Sequence, residues 1–186
     1  MNEEYELSII RSRRKTLSLQ VKDEKTVIVR APLRASERYI RSFVRSNEKW
    51  IKSRLEAMKR LKESVGQPLS ESELSELYQK AARVIPERVA YYAPKIGVDY
   101  KRITIRKQKT RWGSCSAKGN LNFNCLLMLT RPEVIDSVVV HELCHRKEMN
   151  HSARFYEEVL KVFPDYRIWD RWLKKNGTAI LMRGNL

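Results

Sequence analysis

The histidines of this 186-residue chain are confined to one short stretch, where they occupy positions 141, 145 and 151. Residues four apart share a face of an α-helix, so His141 and His145 can present both imidazoles to one metal ion. Glu142 lies about 100° further round the helix, where its carboxylate can act as a general base on water. The H-E-x-x-H pattern therefore predicts a helix that carries a metal site.

The residues before the motif indicate that this helix is buried. Residues 134–140 are apolar around most of the helix circumference, and Pro132 suits a first helical turn. A chance H-E-x-x-H on a buried helix would leave polar groups without partners, which costs several kcal/mol. A bound metal supplies those partners, so a metal site is the favoured interpretation.

A third ligand requires the chain to turn after the motif. In a continuous helix His151 would lie about 9 Å beyond His145 along the axis and off the metal face. Asn150 is the residue best able to adopt a left-handed turn, and Ser152 is predicted to cap a new helix over residues 153–163. His151 is preferred because a neutral imidazole suits zinc. Three acids stay open as alternatives: Glu157, Glu158 and Asp165.

A wider set of residues around the histidines resembles one protein family. The matching runs are residues 108–116, 119–124, 139–145 and 150–152, together with Phe155. On these residues the chain resembles the YgjP-like metallopeptidase family, which is similar to the WLM and SprT-like zincins. The resemblance implies a zincin-like fold in which His141, His145 and His151 bind zinc and Glu142 is the catalytic acid/base. Peptide hydrolysis and nucleoside triphosphate hydrolysis are both activities attributed to this family.

The pattern of apolar residues predicts an α+β fold. The N-terminal part is predicted to hold strands, with a hairpin turn at residues 13–15, and then basic amphipathic helices from Ser36. We expect this part, residues 1–65, to be an extension of a zincin-like metal-hydrolase core, residues 66–186, which forms one compact unit. In the core, a small mixed or antiparallel sheet should pack on the active-site helix.

Three strands are predicted ahead of the motif. Residues 102–106 alternate as a strand, and residues 112–115 and 121–124 flank a turn at residues 118–120. In zincin-like folds an edge strand beside the active-site helix holds an extended substrate by backbone pairing. Both 112–115 and 121–124 are candidates for that edge.

Long helices are predicted on either side of these strands. Ser70 and Glu73 form a capping box, and Gly97 is expected to end the helix that follows. Pro86 should kink or divide that helix. At the other end of the chain, Gly177 is predicted to cap a helix that carries an aromatic stripe.

The formal net charge of +16 is distributed unevenly along the chain. Residues 101–120 carry seven basic and no acidic side chains, whereas residues 121–186 carry ten basic and eight acidic ones. A cationic wall beside the metal would attract phosphate groups or nucleic acid, with an affinity that falls as salt rises. A solvated basic surface explains the same charge equally well.

The same region supplies candidates for substrate binding. They are Arg111, Trp112, Gly113, Ser114, Lys109 and Arg154. The three cations among them could stabilise a developing oxyanion. The other three lie on one of the predicted edge strands.

The cysteines and the hydropathy of the chain indicate the cellular compartment to expect. Cys115, Cys125 and Cys144 lack the spacing of a disulfide framework, so a reducing cytoplasmic environment fits best. No run approaches the ~20 apolar residues of a membrane span, and the acidic N-terminus does not resemble a signal peptide. Cys144 is interpreted as core filler because it lies away from the histidine face of the helix.

Three functions are compatible with these features. A zinc-dependent peptidase with a three-histidine site and Glu142 as general base fits best, with iron, nickel or manganese as alternative metals. A metal-dependent nucleoside triphosphate (pyro)phosphohydrolase would explain the basic segment. A basic nucleic-acid-binding protein with a structural metal leaves Glu142 unexplained, because closed structural sites use four protein ligands. The expected partner is a peptide or nucleotide substrate, with nucleic acid left open and no membrane.

Overall fold

The computed structural model describes residues 4–184, which fall into two compact units. One unit ends at Ser64 and the other begins at Val65. Helices and short sheets occur in both units, so the predicted α+β class is confirmed. Within residues 4–184, no helix combines the length and the apolar character of a membrane span.

The first unit pairs three strands with two helices. Its elements are β1 (Glu6–Ser12), β2 (Ser18–Val21), β3 (Thr26–Pro32), α1 (Glu37–Ser46) and α2 (Glu48–Ser64). The central strand is β3, with β1 parallel to it on one side and β2 antiparallel on the other. The predicted hairpin at residues 13–15 is therefore wrong, since β1 and β2 do not pair. Both pair instead with the strand whose Val27, Val29 and Ala31 are fully buried.

The second unit contains four helices and a second three-stranded sheet. Its elements are α3 (Glu71–Ile96), β4 (Ile103–Arg106), β5 (Gly113–Cys115), β6 (Leu121–Asn124), a 3-10 helix (Cys125–Leu129), α4 (Pro132–Cys144), α5 (Ala153–Val162) and α6 (Tyr166–Arg183). Ser70 and Glu73 form the predicted capping box at the start of α3. Gly97 ends that helix in a left-handed conformation with φ 75°, which glycine adopts without steric penalty.

The sheet of the second unit is mixed, and its strand order decides which strand is an edge. β6 lies in the centre, parallel to β4 and antiparallel to β5. Residues 121–124 form the central strand, so the prediction that they could be the substrate-holding edge is wrong. The other candidate, β5 with residues 113–115, does lie at an edge of the sheet.

The helix with the H-E-x-x-H motif is held deep in this unit. α4 is buried along most of its length, and Pro132 occupies its first turn, as the sequence predicts. Asp136 of α4 accepts two hydrogen bonds of 2.5 Å from the guanidinium of Arg88 and one of 3.1 Å from the hydroxyl of Tyr92, both on α3. This buried ion pair fixes the position of α4 against α3.

Two predictions about where helices break or end need correction. α3 runs through Pro86 without interruption, so the predicted division is wrong, while the alternative of a kink stays a prediction. Gly177 does not end the C-terminal helix but lies buried inside α6. A Cβ at residue 177 would lie 3.0 Å from Nε1 of Trp112, so glycine here leaves room for the indole and does not form a turn.

Candidate active site

The histidine pair lies at the C-terminal end of α4, where the helix stops as predicted. His145 is the residue that ends the helix, and the amides of Lys147 and Glu148 both donate to the carbonyl of Cys144. This tight winding reverses the chain without a left-handed residue. Among residues 4–184 only glycines have positive φ, so the predicted left-handed turn at Asn150 is wrong.

The start of α5 brings the third histidine back to the other two. The side chain of Ser152 caps this helix by accepting a hydrogen bond from the amide of Phe155. His151, the residue before the cap, then faces the end of α4. In the described part of the chain, the cluster of side chains able to hold a metal is His141, His145 and His151.

The Nε2 atoms of these histidines are arranged to bind one metal ion and not to hydrogen-bond to one another. Nε2 of His141 lies 3.2 Å from Nε2 of His145 and 3.0 Å from Nε2 of His151. Nitrogens bound tetrahedrally to zinc at ~2.05 Å lie about 3.3 Å apart, close to these separations. Neutral rings that use their Nδ1–H elsewhere would leave only lone pairs facing one another. A cation at their centre is the partner that such a donor set requires.

Hydrogen bonds to the outer nitrogens set the orientation of two rings. Nδ1 of His145 donates to the carbonyl of Glu148 at 3.0 Å, so Nε2 of this neutral ring keeps its lone pair. Nδ1 of His141 lies 2.8 Å from the hydroxyl of Tyr166. The buried ring of Phe155 contacts all three imidazoles, with centroid distances of 4.7 to 4.9 Å. Partners of this kind hold ligating histidines in place.

Burial keeps the imidazoles of His141 and His145 neutral. Burial, together with the neighbouring His145 and His151, lowers the pKa of His141 from 6.5 to about 3. Burial also lowers the pKa of His145, against an opposing hydrogen bond to the backbone of Glu148. Neutral imidazole is the form that binds metals, so both rings are ready to do so at neutral pH.

Glu142 lies on the adjacent face of α4 and is turned towards β5. Its side chain is only 6% exposed and packs against Gly113. Burial raises the pKa of this carboxyl to about 8, although a hydrogen bond from the backbone of Cys115 and the charge of Arg111 act in the opposite direction. A carboxyl with a pKa near neutrality can both accept and return a proton.

A cavity of about 230 Å³ opens beside Glu142 and His141. Its walls come from the strand β5 and the residues before it, from α4 and from α6. Three of the predicted substrate-binding residues, Arg111, Trp112 and Gly113, line this cavity. Trp112 is held there because its indole packs against Gly177 of α6. The cavity therefore joins the predicted substrate strand to the candidate catalytic residues.

A family model for the YgjP-like metallopeptidase domain matches residues 15–73 and 59–176, which is most of the chain. The chain belongs to the YgjP-like family. It is accordingly a member of a metallopeptidase family, and membership implies a hydrolase with a catalytic metal. Nucleotide hydrolysis receives no support from this match.

Two solved structures are similar to half of the chain. The metallopeptidase zymogen abylysin of Pyrococcus abyssi is 25% identical, with a TM-score of 0.45, and the match covers 50% of this chain and 94% of that one. The metallopeptidase zymogen jannalysin of Methanocaldococcus jannaschii is 20% identical, with a TM-score of 0.45, and the match covers 50% of this chain and 97% of that one. No curated protein matches the chain significantly.

The remaining predicted binding residues of this YgjP-like protein lie outside the cavity wall. Ser114 lies on β5, where its hydroxyl accepts a hydrogen bond from the side chain of Asn122 at 3.2 Å. Lys109 is exposed on the loop before β5. Arg154 lies on α5 and lines a separate surface pocket with Lys147 and Glu158. The structure therefore does not bring Arg154 to Glu142.

The three acids that were alternative third ligands do not lie with the histidines among the described residues. Glu158 accepts hydrogen bonds from Lys147 and Lys161, which lower the pKa of its carboxyl to about 2. Glu157 and Asp165 are exposed and do not join the histidine cluster among the described residues. Cys144 is fully buried in the core, as predicted, and is not part of the cluster either.

Two contributions of α6 to the site were not predicted from the sequence. Tyr166 belongs to the aromatic stripe that the sequence predicts to pack on the metal-site helices, and its hydroxyl also contacts His141. Asp170 and Leu173, one and two turns further along α6, line the cavity. The helical spacing predicts packing, but it does not predict the contact with a histidine or the position in the cavity wall.

Proposed function

We propose that the chain is a zinc-dependent peptidase in which His141, His145 and His151 hold the metal and Glu142 is the general base. One observation carries the proposal: three Nε2 atoms converge at separations of 3.0 and 3.2 Å, next to a buried carboxylate on the same helix. Three protein ligands leave a position open for substrate and water, as catalytic zinc sites do. Membership of a metallopeptidase family supports hydrolysis of peptides as the reaction.

The residues of the chain divide the chemistry between them. When held by the three histidines, zinc would supply Lewis acidity, which acidifies water and polarises a carbonyl oxygen. Glu142 accepts the proton of the attacking water on a carboxylate oxygen and returns it to the leaving amine. The hydrogen bonds from His145 to Glu148 and between His141 and Tyr166 keep both imidazoles aimed at one point.

The edge of β5 at Gly113 is the proposed binding site for the substrate backbone. The carbonyl of Trp112 accepts a hydrogen bond from the amide of Asn124 at 2.8 Å. In an antiparallel pair of strands, hydrogen-bonded and non-hydrogen-bonded residue pairs alternate, so Ser114 and Asn122 form the next bonded pair and Gly113 lies between the two. The backbone groups of Gly113 then face away from β6, while Glu142 packs against Gly113 on the side where a Cβ would lie. An extended peptide that pairs with this edge would place its backbone next to the general base.

The test compares wild-type protein with the variant Glu142→Gln, each loaded with zinc and checked for metal content. Both are incubated with a mixture of unstructured peptides, and the products are identified by mass spectrometry. We expect wild type to cleave internal peptide bonds and Glu142→Gln to bind zinc without cleaving. His151→Ala should lose zinc affinity, because only two histidines would remain.

Three results would each overturn a part of the proposal. Cleavage by Glu142→Gln at the wild-type rate would remove the general base from the mechanism. Consumption of nucleoside triphosphates by wild type, with every peptide left intact, would assign the site to phosphate chemistry instead. Unchanged zinc stoichiometry in His151→Ala would show that the third ligand is another residue.

A further inference from the structure

The loop between β4 and β5 concentrates positive charge at one end of the sheet. Arg106, Lys107, Lys109 and Arg111 occur within six residues, and all four are exposed. The whole stretch of residues 101–118 contains no acidic side chain. Like charges at this density repel one another, and a bound anion would relieve that repulsion.

The backbone of this loop is held in place by a buried side chain. Asn124, which is fully buried, donates from its side-chain amide to the carbonyls of Gln108 at 2.8 Å and Arg111 at 2.9 Å. Its backbone amide donates to the carbonyl of Trp112 at 2.8 Å. The basic side chains are therefore displayed on a fixed backbone and cannot move apart by uncoiling the loop.

Three of these cations have no acidic neighbour to neutralise them. Within residues 4–184, Arg106, Lys107 and Lys109 take part in no ion pair. Elsewhere in the same unit acidic side chains do pair with lysines, as Glu158 does with Lys147. The loop thus offers several fixed, unpaired donors to one anionic surface.

We propose that the loop of residues 106–111 binds the phosphate backbone of duplex nucleic acid. Regularly spaced phosphates can contact several of these cations at once, and the release of condensed counterions favours the complex. Base stacking does not contribute, because Trp112 is the one aromatic residue of this segment and its indole packs against Gly177. The binding should therefore be independent of base sequence and stronger for a duplex than for a single strand. This proposal does not depend on the peptidase activity.

The experiment measures binding of the full-length, zinc-loaded protein to a fluorescent 20-base-pair DNA over a series of salt concentrations. The test variant is Arg106→Gln with Lys107→Gln and Lys109→Gln. The control removes three exposed cations from α6: Arg167→Gln with Arg171→Gln and Lys175→Gln. Both variants lose the same net charge, so a difference between them reports the position of the charge.

We expect the test variant to lose roughly tenfold or more in affinity at about 0.1 M salt, and the salt slope to fall by about 2 to 3. The control should change affinity by less than about threefold. A charge-conserving variant, Arg106→Lys with Lys107→Arg and Lys109→Arg, should bind like wild type. Glu142→Gln should also bind like wild type, which separates this test from that of the peptidase.

Three outcomes would overturn the proposal. The first is that wild type does not bind the duplex at about 0.1 M salt. The second is that test and control variants lose affinity equally, since net charge alone would then explain binding. The third is equal affinity for polyglutamate of matched charge, which would make the loop a site for acidic polypeptide and not for nucleic acid.

Discussion

The carboxylate of Glu142 occupies the space that a side chain on Gly113 would fill. A Cβ at residue 113 would lie 2.7 Å from both Cγ and Oε1 of Glu142 and 2.9 Å from Cδ. These distances are shorter than real Cβ contacts allow. The strand that is proposed to hold the substrate therefore also fixes the position of the proposed general base.

Gly113→Ala should displace that carboxylate and impair catalysis without loss of metal. A shift of about 1 Å in a catalytic group can lower kcat by about 10²-fold. The measurement is kcat on a peptide cleaved by wild type, together with zinc content. Gly66→Ala is the matched control, because a Cβ there would have no atom within 4 Å. Wild-type kcat in Gly113→Ala would show that Glu142 tolerates the displacement or is not the base.

Tyr166→Phe should weaken metal binding while leaving all three histidines in place. The hydroxyl of Tyr166 lies 2.8 Å from Nδ1 of His141, and loss of such a partner typically lowers metal affinity by about 10- to 100-fold. Competition with a fluorescent zinc chelator measures the effect. Tyr156→Phe serves as control, since this ring stacks on His151 at a centroid distance of 6.4 Å. An unchanged zinc affinity in Tyr166→Phe would mean that packing alone orients His141.

The stability of the metal-free protein should depend on pH through Glu142. Burial raises the pKa of this carboxyl from an ordinary 4.5 to about 8 in the folded chain. Between these values the folded state binds more protons than the unfolded state, so the free energy of unfolding falls as pH rises. Glu142→Gln lacks this titration and should therefore gain stability relative to wild type from about pH 5 to pH 8.

Urea denaturation of chelator-treated wild type and Glu142→Gln at several pH values tests this expectation. The two proteins are identical outside residue 142, so the other contributions to the pH dependence largely cancel in the difference. A difference in unfolding free energy that stays constant from about pH 5 to pH 8 would contradict the raised pKa of Glu142.

Asp136→Ala should destabilise the second unit by about 3 kcal/mol, because it leaves the guanidinium of Arg88 without its partner. The side chain of Asp136 is 10% exposed and that of Arg88 is 36% exposed. The loss of unfolding free energy should therefore lie at the low end of the range found when one partner of a buried ion pair is removed. Asp99→Ala is the comparison, since Asp99 pairs with Arg146 while its own side chain is 89% exposed. That change should have a much smaller effect on stability, because solvent screens an exposed ion pair. Equal effects of the two substitutions in urea denaturation would show that burial does not strengthen the Arg88 pair.

The parts of the fold that sequence predicted correctly depend on residues close together in the chain. The capping box of Ser70 and Glu73 and the cap at Ser152 each need only one turn of helix to be recognised. The positions of His141 and His145 on one helix face follow from the 3.6-residue period alone. The break after His145 was predicted because a straight helix could not return His151 to that face.

Two of the failed predictions concern contacts between residues far apart in the chain. Gly177 has the residue type of a helix cap, but the indole of Trp112 decides its role. The turn at residues 13–15 has the composition of a hairpin, but β3 offers the buried face with which both strands pair. A glycine that caps a helix and one inside a helix have the same residue type, and a hairpin turn and a longer connection can have the same composition. Local sequence therefore could not distinguish the predicted structure from the observed one.

The sequence by itself predicted the candidate donors: two imidazoles that one helix aligns, the carboxylate of Glu142 beside them, and His151 as the preferred third ligand. Only the tertiary structure decided what surrounds that set. It brought Tyr166 to His141, Gly113 to Glu142 and the face of α6 to the cavity. The physical reason is that helix periodicity and capping act within a few residues, whereas burial depends on which distant apolar faces pack together.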